Sequence, residues 1–168
     1  MVEPLAEARA RIAARFPGLA VFGESTREAV AGTALIVLAV KPQQMRQAAS
    51  ALAPLLVGAD APVVLSIAAG IRLADLARWL HGHSRLVRAM PNTPALVGKG
   101  IAGAFAAASV DAAGRALVAS VLAAAGEQVW VENEAMLDAV TGVSGSGPAY
   151  VFYFLEALEA AARDLGFA

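Results

Sequence analysis

Two short apolar runs constrain the fold more than anything else in this chain. Ala34–Val40 (Ala-Leu-Ile-Val-Leu-Ala-Val) and Pro62–Ala68 (Pro-Val-Val-Leu-Ser-Ile-Ala) carry no charge and no apolar-polar alternation. A strand with one wet face alternates, whereas a strand covered on both faces reads as a continuous apolar run. Both runs are therefore expected to be strands buried on both faces, as in a parallel sheet. Helical segments follow each of them: Pro42–Leu56, with a proline in its first turn, and Leu73–Leu80. Further strands are expected at Leu86–Met90, Gly100–Phe105 and Gln128–Val131, with a helix over Asp111–Ala125. Ahead of the first run, Glu3–Arg15 reads as a helix stopped by Pro17-Gly18, and Leu19–Phe22 as a short strand. Ser25-Thr-Arg-Glu28 fits a capping box that opens a one-turn helix.

This alternation argues an α/β protein with an incomplete doubly wound (Rossmann-like) parallel sheet, followed by the start of an all-helical domain. The sheet is incomplete because the chain opens on a helix. No strand followed by Gly-x-Gly-x-x-Gly and a helix stands at the front, and that glycine motif occurs nowhere else. After Glu132 strand signals cease, and Glu134–Val140 and Ala149–Leu165 read as helices. The expected division is residues 1–132, a partial Rossmann-like dinucleotide-binding domain, and residues 133–168, the start of a helical domain with an apolar face left uncovered.

Composition narrows the function classes. The 168 residues carry a net charge of −1, which offers nothing to draw nucleic acid or acidic lipid. There is no cysteine, so neither a disulfide scaffold nor a thiolate metal site is available. Mean hydropathy is +0.62, but the longest uncharged stretch, Ala139–Leu155, falls short of a membrane span and is broken by Gly142, Gly145, Gly147 and Pro148. It reads as a loop followed by a buried helix. No basic, apolar leader opens the chain, and a cytoplasmic protein is expected.

Candidate chemistry sits where strands end, because ligands of open parallel sheets bind at the carboxyl ends of strands. Lys41, after Ala39-Val40 and before Pro42, is either a solvated strand-end lysine or a group that meets a phosphate or ribose. Ser66-Ile67-Ala68-Ala69-Gly70 is either turn chemistry or a floor of small residues that a flat ring can approach. Pro91-Asn92-Thr93-Pro94 is a stiff loop whose Asn92 offers a donor and an acceptor, or an Asx-type turn. Ser144-Gly145-Ser146-Gly147-Pro148 is either a capped helix with a flexible lead-in or a site whose free N–H groups take a carboxylate. His81 and His83 read as a solvated turn with no third metal ligand nearby. Arg9, Arg11 and Arg15 read as a solvated helix face, and Trp79, Trp130, Phe152 and Phe154 as packing residues. No catalytic triad or paired carboxylate stands out, and no metal site is expected.

Ala39-Val-Lys-Pro42, Ser66-Ile-Ala-Ala-Gly70, Arg88-Ala-Met-Pro-Asn-Thr-Pro-Ala-Leu-Val-Gly98 and Ser144-Gly-Ser-Gly-Pro-Ala-Tyr150 together resemble the pyrroline-5-carboxylate reductase family. The last two motifs are the specific ones; the first two are shared more loosely with related reductases. The resemblance runs from about Glu3 to the end and makes this chain look like a central part of such an enzyme. It implies NADP or NAD as cofactor, with NADPH favoured, and reduction of 1-pyrroline-5-carboxylate to L-proline in proline biosynthesis. It implies that Ala39, Val40, Lys41 and Pro42 line the cofactor's phosphate and ribose side, with Thr26 nearby, and that Ile67, Ala68 and Ala69 lie against its nicotinamide half. Asn92 and the turn Ser144, Gly145, Ser146 and Gly147 would border the substrate. No catalytic acid is implied, since solvent can protonate an imine. A homo-oligomer is expected of the full-length family, through helices that follow the last motif. The alternatives are a related reductase of another imine or of a 3-hydroxy acid, and a non-enzymatic remnant.

Overall fold

The computed structural model describes residues 1–58 and 61–167; Ala168, the end of the expected helical segment, lies outside them. Its sheet has five strands in chain order: β1 (Leu35–Leu38), β2 (Val63–Ser66), β3 (Leu86–Met90), β4 (Gly100–Ala106) and β5 (Gly126–Trp130). The strands β1, β2 and β3 are parallel, with Leu35 opposite Val63 and Val64 opposite Leu86. The sheet departs from the expected all-parallel arrangement at β4, which runs antiparallel to β3 with Met90 opposite Gly103. The connection dictates this. Residues 91–99 hold only the short 3-10 helix Thr93–Val97, and a parallel return needs a crossover of a dozen or more residues. Such a crossover does join β4 to β5, through helix Ala112–Ala123, and those two strands are parallel.

Helices cover both faces. Counting in chain order, α1 is Ala6–Arg15, α2 Arg27–Val30, α3 Pro42–Leu52, α4 Leu73–Trp79, α5 Ala112–Ala123, α6 Met136–Val140 and α7 Gly147–Asp164. On one face Val64 and Leu86 meet Met45, Ala49 and Leu52 of α3 and Leu73 and Leu76 of α4. On the other, Val63, Leu65, Val87 and the small side chains Ala102 and Ala104 meet Val118 and Leu122 of α5. All four residues of β2 are buried, as its unbroken apolar run requires. The run containing β1 is not covered on both faces as expected: Val37 is 40% exposed. β1 is the edge of the sheet, with β2 as its one strand neighbour among the described residues.

The front of the chain also differs in detail. Helix α1 starts at Ala6, because the Glu3 carboxylate accepts the N–H of Leu5 just ahead of it. Leu19–Phe22 makes one parallel bridge, Phe22 with Val2, rather than a strand. The one-turn helix α2 forms, but its cap is Thr26 instead of Ser25: the Thr26 hydroxyl accepts the N–H of Ala29 at 3.1 Å. Arg9 leaves the expected solvated face and donates to the backbone oxygens of Glu3 and Pro4 at 2.9 and 2.8 Å.

At the other end, α6 packs on the sheet. Leu137 is fully buried, and the space it and Val140 occupy exists because β4 carries Gly103. A Cβ there would lie 2.9 Å from a γ-carbon of Val140. Helix α7 follows with no residue buried. Phe152 and Phe154 are each 65% exposed, so the packing role expected of them is not met within this chain. No helix among the described residues is long and apolar enough to cross a membrane.

Candidate functional site

Because β1, β2 and β3 run parallel, the segments that leave their carboxyl ends, Ala39–Pro42, Ile67–Gly70 and Pro91–Pro94, emerge along one rim of the sheet. Lys41 is the exposed residue that precedes α3, whose first position is Pro42. Ser66 is fully buried, and its hydroxyl accepts the N–H of Ala68 at 3.3 Å. Gly70 then turns the chain with φ +75°, a conformation side chains disfavour. The result is a tight turn, which leaves Ala68 buried and Ile67 and Ala69 half-buried at the rim. Thr26 uses its hydroxyl oxygen to cap α2.

Asn92 uses both ends of its amide. Its Oδ1 accepts the N–H of Ile101 at 3.0 Å, which fixes the start of β4. Its Nδ2 donates to the hydroxyl of Ser144 at 3.2 Å, across 52 residues of sequence. This contact brings the Pro91–Pro94 loop and the Ser144–Gly147 segment together. Gly145 allows the approach from the other side: a Cβ there would lie 2.7 Å from the terminal methyl of Met90.

The Ser144–Gly147 segment is not the loop that its glycines suggested. Thr141–Gly145 is a π-helical turn that continues α6 into α7 without a break. Hydroxyls hold it: Thr141 donates to the oxygen of Leu137 at 2.7 Å and Ser146 to that of Thr141 at 3.0 Å. The N–H of Ser146 also bonds Thr141, at 2.8 Å, so the donors expected to stand free ahead of α7 are in part committed. Pro148 follows at the start of α7, where no N–H is needed. Single π-turns within helices recur at functional sites.

A charged cluster beneath this rim was given no role by the sequence reading. Arg88 lies in β3 and is 2% exposed. Its guanidinium donates to Glu134 at 3.2 Å and to Asp138 at 3.3 Å. The same Glu134 oxygen accepts the N–H of Leu73, the first residue of α4, at 2.7 Å. The signal was a lone arginine in the apolar run Leu86-Val-Arg-Ala-Met90, since a buried charge must find a partner.

Elsewhere, His81 is exposed with φ +53°, and His83 is half-buried. Burial pushes the His83 imidazole below its ordinary pKa, against the opposing pull of the backbone at Pro62 and Arg85. No three His, Cys, Asp or Glu side chains converge as a metal site among the described residues. A hollow of about 440 Å³ between α3 and α4, lined by Arg46, Ser50, Arg78, Trp79 and His81, lies apart from the strand-end rim.

Residues 134–168 match the family described as pyrroline-5-carboxylate reductase dimerisation. A pyrroline-5-carboxylate reductase of Pseudomonas aeruginosa is 46% identical over 164 residues, covering 98% of this chain and 59% of that protein. Over nearly its whole length, this chain is similar to pyrroline-5-carboxylate reductases. The solved reductase of Coxiella burnetii superposes with a TM-score of 0.87 at 34% identity, over 99% of this chain and 61% of that one. The Plasmodium falciparum enzyme, solved with NADP bound, superposes with a TM-score of 0.75 at 28% identity, over 91% and 59%. The chain thus spans about three fifths of the length of the relatives it matches.

Proposed function

We propose that this chain carries the nicotinamide-side and substrate-side floor of an NAD(P)H-dependent reductase that converts 1-pyrroline-5-carboxylate to L-proline in the cytoplasm. NADPH is the favoured cofactor. The observation that carries the reading is the Asn92–Ser144 hydrogen bond, which joins the two most family-specific motifs into one surface. Residues 1–132 serve as the dinucleotide-binding part and residues 133–168 as the start of the helical part.

The residues present suit one side of a dinucleotide. Ala68 and Ala69 with Gly70 make a cradle without bulky side chains, against which a flat ring can lie. Ala39, Val40, Lys41 and Pro42 border the phosphate and ribose, with the Lys41 ammonium free to meet negative charge; Thr26 stands nearby with its hydroxyl oxygen already taken as a cap. A bound nicotinamide dinucleotide supplies the two electrons. This chain's residues bind and orient. The Ser144 oxygen accepts from Asn92, so its own O–H stays available to an acceptor such as a carboxylate. The second N–H of the Asn92 amide is available in the same way. Gly145, Ser146 and Gly147 keep that side of the surface low and polar. Neither Asn92 nor Ser144 is a proton donor of useful acidity, so the imine takes its proton from solvent.

A fluorescence titration with NADPH tests the first half: saturable binding, weakened in Lys41→Ala, is expected, and its absence leaves a non-enzymatic remnant. The second half needs the segments by which the relatives are longer. A chimera that grafts this chain into the Pseudomonas reductase should turn over 1-pyrroline-5-carboxylate in preference to other cyclic imines or a 3-hydroxy acid. A preference for either of those would overturn the substrate assignment.

A further inference from the structure

We propose that Arg88, Glu134 and Asp138 form a latch that makes the loop after β2 and the π-turn before α7 open and close as one unit. The assignment of those segments to cofactor and substrate rests on the function proposed above; the mechanical linkage rests on geometry alone. Arg88 stands opposite Ser66 in the register between β2 and β3, and so lies between the two strand ends. It precedes Asn92 by four residues. Leu73, which Glu134 holds at 2.7 Å, follows Gly70 by three residues. Asp138, held by the second arm of Arg88, precedes Thr141 by three residues. The segment after β2, the Asn92 loop and the π-turn are therefore each within about a helical turn of sequence of Arg88 or of a residue bonded to it or to its Glu134 partner.

The strength of the latch lies in its inner half. Arg88 is 2% exposed and Glu134 24%, so their pairing is shielded from solvent. Asp138 is 54% exposed, and its further contact with Arg72, at 3.6 Å between well-exposed side chains, adds little. Glu134 uses one oxygen for two donors on different elements, the N–H of Leu73 and Nη1 of Arg88. Displacing the start of α4 thus changes the partner of Arg88, and displacing Arg88 changes its hold on α6. Lysine can reproduce this only in part, because an ammonium is a single point charge whereas the guanidinium reaches two carboxylates with fixed arms.

Hydrogen exchange on the 168-residue chain, with no ligand present, tests the linkage. In Arg88→Met, the amides of Leu73 and of Thr141–Ser146 should exchange faster together, by on the order of tenfold, the effect of losing charge-assisted hydrogen bonds. Arg88→Lys should restore part of the protection in both places. Val118→Ala, which weakens the core on the opposite face of the sheet, controls for global destabilisation and should not reproduce the paired pattern. A rise at one segment alone, no rise at either, or the same pattern in Val118→Ala would overturn the latch. Failure of NADPH to bind at all would count against the proposed function, while the exchange result would still decide the linkage.

Discussion

Asn92 joins three elements through one amide, and its neighbours' replacements separate those jobs. Asn92→Ala removes the partner of the Ile101 N–H and the donor to Ser144 together. Two hydrogen bonds are lost at once, each worth about 0.5–1.5 kcal/mol net where water can take the freed group, as it can at the exposed Ile101, so a loss of about 1–3 kcal/mol is expected in urea unfolding. Ser144→Ala loses one side-chain bond only, and should cost roughly 0.5–1.5 kcal/mol. Equal effects from the two would refute the two-sided role. At Gly103 the argument is steric. An added methyl would meet the stiff, branched side chain of Val140 at 2.9 and 3.0 Å, where little can yield. Gly103→Ala should destabilise by about 1–3 kcal/mol, the usual cost of overpacking. Val140→Ala in the same chain should recover part of that loss, which a double-mutant cycle measures. His83 gives a pH dependence. Its folded pKa lies below the ordinary 6.5, with burial as the main cause, so the neutral ring is favoured by folding. The stability it contributes is complete above pH 6.5 and is lost as pH falls toward the lowered value. The difference in unfolding free energy between the chain and His83→Asn should shrink across that interval; a difference that is flat with pH would refute it.

The π-turn decides how α7 leaves α6, and it can be removed by one residue. Deleting Gly142, whose Cβ position is open space, should let Thr141–Gly145 relax to an α-helix. Each residue turns an α-helix by about 100°, so Ser144 would swing away from Asn92. The expected result is a chain that keeps its helical circular dichroism but loses the stabilisation that Ser144→Ala also removes, with the two changes non-additive. Full retention of the Asn92–Ser144 contact in the deletion would refute this account. Why the turn read as a loop is physical: Gly and Ser between helices usually punctuate, but here Thr141 and Ser146 bond backward to carbonyls four and five residues earlier and keep the helix going. The strand covered on both faces was legible for the opposite reason, since β2 is buried at every position and is apolar at all but Ser66. The direction of β4 was not carried by its own residues; it follows from the length of the link before it. The strand-end loops were legible because parallel strands place their ends together, but the Arg88 latch was not, since Glu134 and Asp138 lie 46 and 50 residues away in sequence.

At the scale of the whole molecule, the described residues split into a sheet that buries its apolar surface and a helix that buries none. The first half of α7, from Tyr150 to Leu155, is apolar on every side, and Tyr150, Tyr153, Phe154 and Leu158 line one stripe at helical spacing. Exposure there reaches 76% at Tyr153. A helix hydrophobic all round belongs inside something, and a contiguous apolar surface of this kind is rare on soluble monomers. The matched dimerisation family covers this same helix, which makes a second copy of the chain the cover to test. The edge of β1, unpaired among the described residues, offers a second surface, but a shorter and less exposed one. Sedimentation velocity should therefore show association that grows with concentration, and Phe154→Lys with Leu158→Lys should abolish it while leaving thermal unfolding of the sheet unchanged. Lysine placed at Val37 on the β1 edge should have the smaller effect. Were the Val37→Lys variant the monomer and the α7 variant still associated, the sheet edge rather than α7 would be the surface through which copies meet.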